Sequence, residues 1–196
     1  MGRLLSAVES TIAEGGMASL TVQEVARRAD IAVGTLYTRF PGKDALLRAF
    51  TIAFFDRARR AADALLDDPR WRRLPPRELV AAVVKALVRS YRAKRRLLRA
   101  LHLFVRSHPD ASFQAEAAAF NAEFVRRLTV LLLQHREAMA HPDPERGVLL
   151  GFLLVDAAAK EAILFDDARP PDLRVADEEL IEALTLSYCQ LLDFVA

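Results

Sequence analysis

The sequence has few of the residues that define several large protein classes. Its 196 residues include one cysteine, seven glycines and nine prolines. The single cysteine, Cys189, excludes an internal disulfide framework and a cysteine-based zinc site, which suits a reducing, cytoplasmic setting. So few glycines and prolines exclude collagen-like and low-complexity architectures.

The sequence also lacks a long apolar run. The longest uncharged apolar stretch, residues 147–155, ends at Asp156 and is well short of the roughly 18 residues that a membrane span requires. Because no charged N-terminal segment precedes an apolar one, neither a signal peptide nor a membrane partner is predicted. With 53% apolar residues and 28 basic against 26 acidic side chains, the composition predicts a folded chain.

The net charge of +2 conceals an uneven distribution. Residues 57–106 hold 15 basic and 4 acidic side chains, whereas residues 107–196 hold 7 and 16. Residues 1–56 hold six of each. The most basic segment, residues 92–99, fits a phosphate-binding patch, an anionic-ligand site or an amphipathic helix with solvated arginines. Pairing with the acidic final third is a further interpretation of the same segment.

Apolar residues recur at helical spacing along nearly the whole chain, and no alternating β-branched run is long enough for a strand. The pattern predicts an all-α fold of about nine helices. The first three are predicted to be short and to span residues 3–14, 22–29 and 32–39. The helices that follow are predicted to be longer. We therefore expect an N-terminal helical unit over residues 1–45 and a larger helical domain over residues 46–196.

The second and third predicted helices form a helix-turn-helix. Residues 21–24 are a capping box, in which the Thr21 hydroxyl accepts the Glu24 N–H and the Glu24 carboxylate accepts the Thr21 N–H. A tight turn follows, and its Asp30 side chain is expected to cap the next helix. In that helix Ala32, Leu36 and Phe40 repeat every four residues and are predicted to face inward.

The opposite face of this helix carries almost no charge and includes a glycine, which costs roughly 1 kcal/mol relative to alanine in a helix. A helix in the DNA major groove explains both features, because a glycine allows close approach and threonines can contact bases. After Pro41, the N-terminus of the next helix offers backbone N–H groups and a lysine to a phosphate. The candidate DNA-contacting residues are Thr21, Ala32, Val33, Gly34, Thr35, Tyr37, Thr38, Arg39 and Lys43.

This segment resembles the DNA-binding domain of TetR/AcrR-type transcriptional regulators. The residues that carry the resemblance are 20–26, Ile31, 34–37, Phe40, Lys43 and Leu46. They cover about the first quarter of the chain. Asp30 stands where the family commonly has glycine, and Ala32 stands where it commonly has a capping serine.

The resemblance implies a homodimer that binds a double-stranded DNA operator and a small-molecule effector. The effector pocket is expected between the middle helices, and its candidate residues are Trp71, Tyr91, His102, Phe120, Asn121, Phe124 and Phe152. The last two helices of the family pair across a two-fold axis. The candidate dimer residues here are Gly151, Val155, Ala159, Leu180, Leu184, Tyr188 and Leu191.

The sequence therefore predicts a ligand-responsive transcriptional regulator, a repressor that a small molecule releases from a pseudo-palindromic operator. The alternative is an all-α small-molecule carrier or enzyme with a vestigial helix-turn-helix. No catalytic residue, cofactor or metal site is predicted. The pair Gly42–Lys43 lacks the spacing of a phosphate-binding loop, and the four histidines lack the spacing of helical metal ligands. Those histidines are His102, His108, His135 and His141.

Overall fold

Nine α-helices account for most of residues 2–194, which are the residues that the computed structural model describes. They are α1 (Gly2–Gly15), α2 (Val22–Ala29), α3 (Val33–Arg39), α4 (Lys43–Leu66), α5 (Pro76–Ala93), α6 (Arg95–Ser107), α7 (Ala111–Leu133), α8 (Pro144–Leu164) and α9 (Asp177–Leu192). The predicted all-α fold of about nine helices is confirmed. Within the described residues, no helix is long and apolar enough to cross a membrane.

The chain divides into two units that are each continuous in space but not in sequence. Unit 1 comprises Met1–Ala61 and Arg96–Phe120, and unit 2 comprises Ala62–Arg95 and Asn121–Ala196. Unit 1 thus adds most of α6 and the start of α7 to the N-terminal helices. The functional division after residue 45, drawn from the helix-turn-helix motif, stays a prediction.

Unit 1 is built on the contacts of α1 with α2 and of α2 with α3. Val8 and Ile12 of α1 and Val25 of α2 are fully buried between these helices. Phe40, which follows α3, lines the same small internal space as Leu4 and Val8. The apolar stripes of three short helices therefore share one core, which none of them is long enough to form alone.

In unit 2, α5, α8 and α9 pack against one another in pairs. The Tyr188 side chain of α9 is buried, and its hydroxyl donates a hydrogen bond to the Val148 carbonyl of α8 at 2.8 Å. Beside it, burial raises the pKa of the Cys189 thiol. On α8 the buried Asp156 carboxylate accepts a hydrogen bond from the Tyr91 hydroxyl of α5, so a buried charge has a partner.

Ion pairs connect the basic and acidic segments within unit 2. Arg92 at the end of α5 donates from Nε to the Asp177 carboxylate at 2.9 Å. Arg95 pairs with Asp166 and Asp167, which follow α8. The interpretation that the basic segment pairs with the acidic final third is confirmed for these two arginines. The opposite charges in this part of the sequence hold together elements that are distant along the chain.

One prediction concerns Gly151, where α8 meets the Tyr188 ring. A Cβ atom added at Gly151 would overlap that ring, and the buried tyrosine has no room to withdraw. We expect Gly151→Ala to lower the free energy of unfolding by about 1–3 kcal/mol, because overpacking forces side chains from their preferred rotamers. Thermal unfolding followed by circular dichroism measures the change. The matched control is Gly34→Ala, where nothing lies within 4 Å of the added Cβ, and equal losses in both variants would contradict the argument.

Candidate nucleic-acid interface

The N-terminus of α2 is fixed by the predicted cap. Thr21 has extended backbone, and its Oγ1 accepts the Glu24 N–H at 3.1 Å. The other half of the predicted capping box is wrong, because the Glu24 carboxylate binds Arg27 and Arg28 instead of the Thr21 N–H. These hydrogen bonds, first from Arg27 and then from Arg28, lower the pKa of Glu24 to about 2.

The turn between α2 and α3 is made by Asp30 in the left-handed conformation, with φ 54° and ψ 54°. Aspartate tolerates this region better than most residues other than glycine. The expectation that Asp30 caps α3 is wrong, since Ala32 is the N-cap of α3 and no side chain caps that end. Asp30 therefore ends α2 where a glycine commonly makes the turn.

Helix α3 presents almost all of its surface outward. Leu36 is 2% exposed and is the only buried residue of its seven, and Phe40 just beyond the helix is buried as well. The prediction that Ala32 faces inward is wrong, because the helix begins one residue later and Ala32 lies exposed at its cap. The exposed candidates of this helix are Val33, Gly34, Thr35, Tyr37, Thr38 and Arg39.

Gly34 has no structural reason within the chain to be a glycine. Its φ is not positive, and no atom lies within 4 Å of the position of a Cβ. An alanine at this place would stabilise α3 by up to about 1 kcal/mol. The chain has glycine here in spite of this loss of helix stability. Such a glycine fits a surface on which another molecule approaches the backbone of α3 closely.

Two polar side chains beside α3 are held by hydrogen bonds. The Tyr37 hydroxyl accepts a hydrogen bond from Gln23 Nε2 of α2 at 3.2 Å. The Lys43 ammonium at the start of α4 donates to the Met17 carbonyl at 2.9 Å. Both residues are exposed, so the hydroxyl proton of Tyr37 and two ammonium protons of Lys43 remain available to an anion.

The first turns of α4 are braced by the corner between α6 and α7. His108 in this corner is 7% exposed, and its Nδ1 accepts the Asp110 N–H at 3.1 Å. Its Nε2 therefore carries a hydrogen and faces the Asp44 carboxylate, the nearer oxygen at 3.3 Å. One turn later, Arg48 pairs with Asp110 at 2.9 Å and lies over the Phe113 ring. This cluster fixes the end of α4 that carries Lys43.

Residues 4–50 match the family model described as "Bacterial regulatory proteins, tetR family". This range contains all nine candidate DNA-contacting residues. The N-terminal quarter of the chain is thus similar to TetR-family regulators over its helix-turn-helix. A search of curated proteins gives no significant match.

Solved structures of transcriptional regulators, several of them described as TetR-family proteins, share the fold of the whole chain. The regulator FadR from Bacillus subtilis, crystallised with stearoyl-CoA, is 16% identical with a TM-score of 0.67, over 100% of this chain and 99% of that one. A TetR transcription regulator from Haloarcula marismortui is 18% identical with a TM-score of 0.70, over 98% and 95% of the two chains. The TetR-family regulator PfmR from Thermus thermophilus is 14% identical with a TM-score of 0.62, over 99% of each chain.

The predicted effector residues are divided between the two units. His102 and Phe120 belong to unit 1, where Phe120 stacks on Phe55. The other five belong to unit 2, where Phe124 lies 5.3 Å from Phe152 between ring centroids. Trp71 and Phe152 are buried, Tyr91 and Phe124 are half-buried, and Asn121 is exposed.

Unit 2 also has an open cleft of about 580 Å³ that contains none of the predicted effector residues. It is lined by Leu66, Asp67, Arg72, Glu123, Arg126, Arg127, Val130, Leu131 and Gln134. Two of its arginines are already paired, Arg126 with Glu123 and Arg127 with Asp67. The predicted effector residues stay a prediction.

The structure places the seven candidate dimer residues inside the monomer. Six are buried, and Leu191 is half-buried. The exposed apolar side chains of the same two helices are different ones, namely Leu149, Leu153, Leu154 and Leu186. These four leucines are called here the leucine face. The seven candidate dimer residues stay a prediction.

Sequence reasoning missed two residues that position the DNA-binding surface. Gln23 holds Tyr37, and His108 braces α4. Gln23 lies inside the recognised motif, one residue after the start of α2, so its position on the side of α3 was readable from helical spacing. His108 gave no comparable signal, because its contact with Asp44 joins residues 64 apart in the sequence.

The charge network of α2 predicts how unit 1 responds to acid. Because the pKa of Glu24 falls from 4.5 to about 2 on folding, its charged form stabilises the folded state. That contribution is present above pH 4.5 and is lost as the pH falls toward 2. We expect the melting temperature of Glu24→Gln to change less with pH across this window than that of the unsubstituted protein.

Circular dichroism melts at several pH values in this window measure the effect, with the exposed Glu116→Gln as the control. Parallel pH profiles for Glu24→Gln and the unsubstituted protein would contradict the assigned role of the Glu24 carboxylate.

Proposed function

We propose that this protein is a homodimeric repressor that binds a pseudo-palindromic DNA operator and leaves it when a small molecule binds. The observation that carries the proposal is the surface of α3, on which six of seven residues are not buried and one is an unexplained glycine. A solvated helix gains nothing from such a surface. A helix in the DNA major groove benefits from such a surface, because its backbone must approach the bases closely and its exposed side chains must contact base edges.

The phosphate contacts are assigned to three residues around α3. Thr21 lies at the N-terminus of α2 and Lys43 at the N-terminus of α4, where backbone N–H groups favour an anion. Tyr37 projects from α3 with its hydroxyl proton free. Contacts to phosphates fix the register of a protein on the duplex, and contacts to bases select the sequence. The three residues would thus hold α3 in its groove.

Dimerisation is assigned to the leucine face. Leu153 and Leu154 are 57% and 61% exposed, and Leu149 lies one turn before Leu153. A monomer seldom exposes so much adjacent apolar surface without a partner. To bind successive major grooves, the two α3 helices of such a dimer would have to lie about 34–36 Å apart.

The effector is assigned to unit 2, whose aromatic pair Phe124–Phe152 and buried Tyr91–Asp156 contact combine apolar and polar groups. The structural relative from Bacillus subtilis was crystallised with an acyl-CoA, which supports an amphiphilic small molecule as the first ligand to test. An effector that lowers DNA affinity must itself be bound more weakly by the DNA complex, by the same factor.

The first test of this proposal is DNA binding by variants of the assigned contacts. Selection from random-sequence duplexes should yield a pseudo-palindromic site that binds with strong salt dependence. We expect Tyr37→Phe and Lys43→Ala each to weaken binding about 5- to 30-fold, the loss of a charged or polar phosphate contact. Lys43→Ala should also reduce the salt dependence, because one cation per subunit is lost.

Fluorescence anisotropy at several salt concentrations measures both effects. Lys85→Ala, an exposed lysine of α5, is the matched control and should bind as the unsubstituted protein does. Unchanged binding by both Tyr37→Phe and Lys43→Ala, with intact folds, would refute the assigned phosphate contacts. A protein that binds no duplex at any salt concentration would refute the proposed function.

The second test concerns the dimer. Leu153→Glu combined with Leu154→Glu places four carboxylates in the proposed interface, two from each subunit, and burying them without partners is costly. We expect the double variant to sediment as a monomer and the unsubstituted protein as a dimer. Leu103→Glu is the matched control, because this leucine of α6 is 50% exposed. A double variant that remains a dimer would exclude the leucine face as the interface.

A further inference from the structure

The exposed face of α3 is rich in methyl groups. Leu36 points into the core, so Gly34 and Thr38 lie near the middle of the opposite face, and Thr35 lies beside them. Val33 lies at the N-terminal end of the helix, nearer the buried side. Val33 is 38% exposed. The face contains no lysine, asparagine or glutamine, although these side chains, with arginine, give the commonest bidentate contacts to guanine and adenine.

The Thr38 hydroxyl is already used within the helix. It donates a hydrogen bond to the Thr35 carbonyl at 2.8 Å. A threonine whose hydroxyl bonds back to its own helix has no proton left for a base acceptor. What Thr38 offers to the groove is therefore its methyl group and an oxygen lone pair.

Arg39 and Tyr37 each contact a neighbouring side chain. The Arg39 guanidinium carbon lies 5.7 Å from the centroid of the Phe40 ring. Arg39 follows the buried Leu36 by three residues, so its side chain leaves α3 on the side nearer the core. Gln23 holds Tyr37 on the side of α2. The residues of α3 that remain for base contacts are Val33, Thr35 and Thr38, which carry methyl groups, and Gly34. Beside Gly34 there is open space, because no atom lies within 4 Å of the position of a Cβ.

We propose that α3 selects its half-site by contact with thymine methyl groups. The methyl groups of Val33, Thr35 and Thr38 would pack against C5-methyl groups of T·A pairs in the major groove, and Gly34 would let a base edge approach the backbone. Thymine is the base that presents a methyl group there. The inference rests on the proposed DNA-binding function and adds the chemical feature of the operator that the protein recognises.

The test replaces single thymines by deoxyuridine in the operator obtained by selection. Deoxyuridine pairs as thymine does and lacks only the methyl group, so the shape of the duplex is largely kept. For the full-length protein we expect the Kd to rise about fourfold at each contacted thymine, the effect of one buried methyl group. Replacement of a contacted T·A pair by a 5-methylcytosine·guanine pair should retain more affinity than replacement by a cytosine·guanine pair.

Two variants of Thr38 separate its methyl group from its hydroxyl. Thr38→Val keeps a methyl group and removes the hydroxyl, and Thr38→Ser does the opposite. We expect Thr38→Val to bind the operator like the unsubstituted protein. Thr38→Ser should bind about 16-fold more weakly, because each of the two subunits loses one methyl contact worth about fourfold. In Thr38→Ser, deoxyuridine at the thymine that Thr38 contacts should have no further effect.

Sequence-specific binding that is insensitive to deoxyuridine throughout the half-site would overturn this proposal and leave the proposed function standing. Tight binding by Thr38→Ser with weak binding by Thr38→Val would overturn it as well, because the hydroxyl would then be the recognised group. Absence of salt-sensitive binding to any duplex would overturn the DNA-binding function itself, and this inference with it.

Discussion

The burial of Leu36 and Phe40 is the interaction on which the DNA-binding surface depends. A helix of seven residues is far too short to be stable alone in water, and α3 has one buried side chain of its own. Phe40 adds a second anchor immediately after it, in the internal space lined by α1 and α4. Because these two side chains fix the helix, the other residues of α3 are released from any packing role.

The charges of the chain serve a different purpose from the one that its composition first suggests. Residues 1–56, which hold the candidate DNA contacts, have no net charge. The large basic and acidic excesses lie further along, where Arg92 and Arg95 bind Asp166, Asp167 and Asp177. Such pairs stabilise only modestly when exposed. Their effect here is to join the end of α5 and the start of α6 to the segment after α8 and the start of α9.

Sequence reasoning succeeded where a local interaction decides the structure. The cap by Thr21 and the core position of Leu36 follow from helical spacing and hydrogen bonding within four residues. It failed at Asp30, since a short polar side chain can either cap the following helix or end the preceding one. In this chain Asp30 has a left-handed backbone conformation and therefore ends the preceding helix, α2.

Sequence reasoning could not orient α8 within the fold, and the physical reason is clear. Residues 147–155 are apolar on every side, so periodicity cannot distinguish the face packed within the monomer from the leucine face. Gly151 was among the candidate dimer residues, and in the structure its missing Cβ makes room for Tyr188 of the same chain. The brace of α4 by His108 was likewise unreadable, since it depends on tertiary contacts alone.

The buried thiol of Cys189 has a practical consequence. The thiol lies on the buried side of α9, and burial raises its pKa. Little of the nucleophilic thiolate therefore forms at neutral pH. Cys189 therefore does not have to be substituted before the protein is labelled with a thiol-reactive reagent. A single cysteine introduced on an exposed helix face would be the reactive one. Paired spin labels could then report the distance between two copies of α3 with and without an effector.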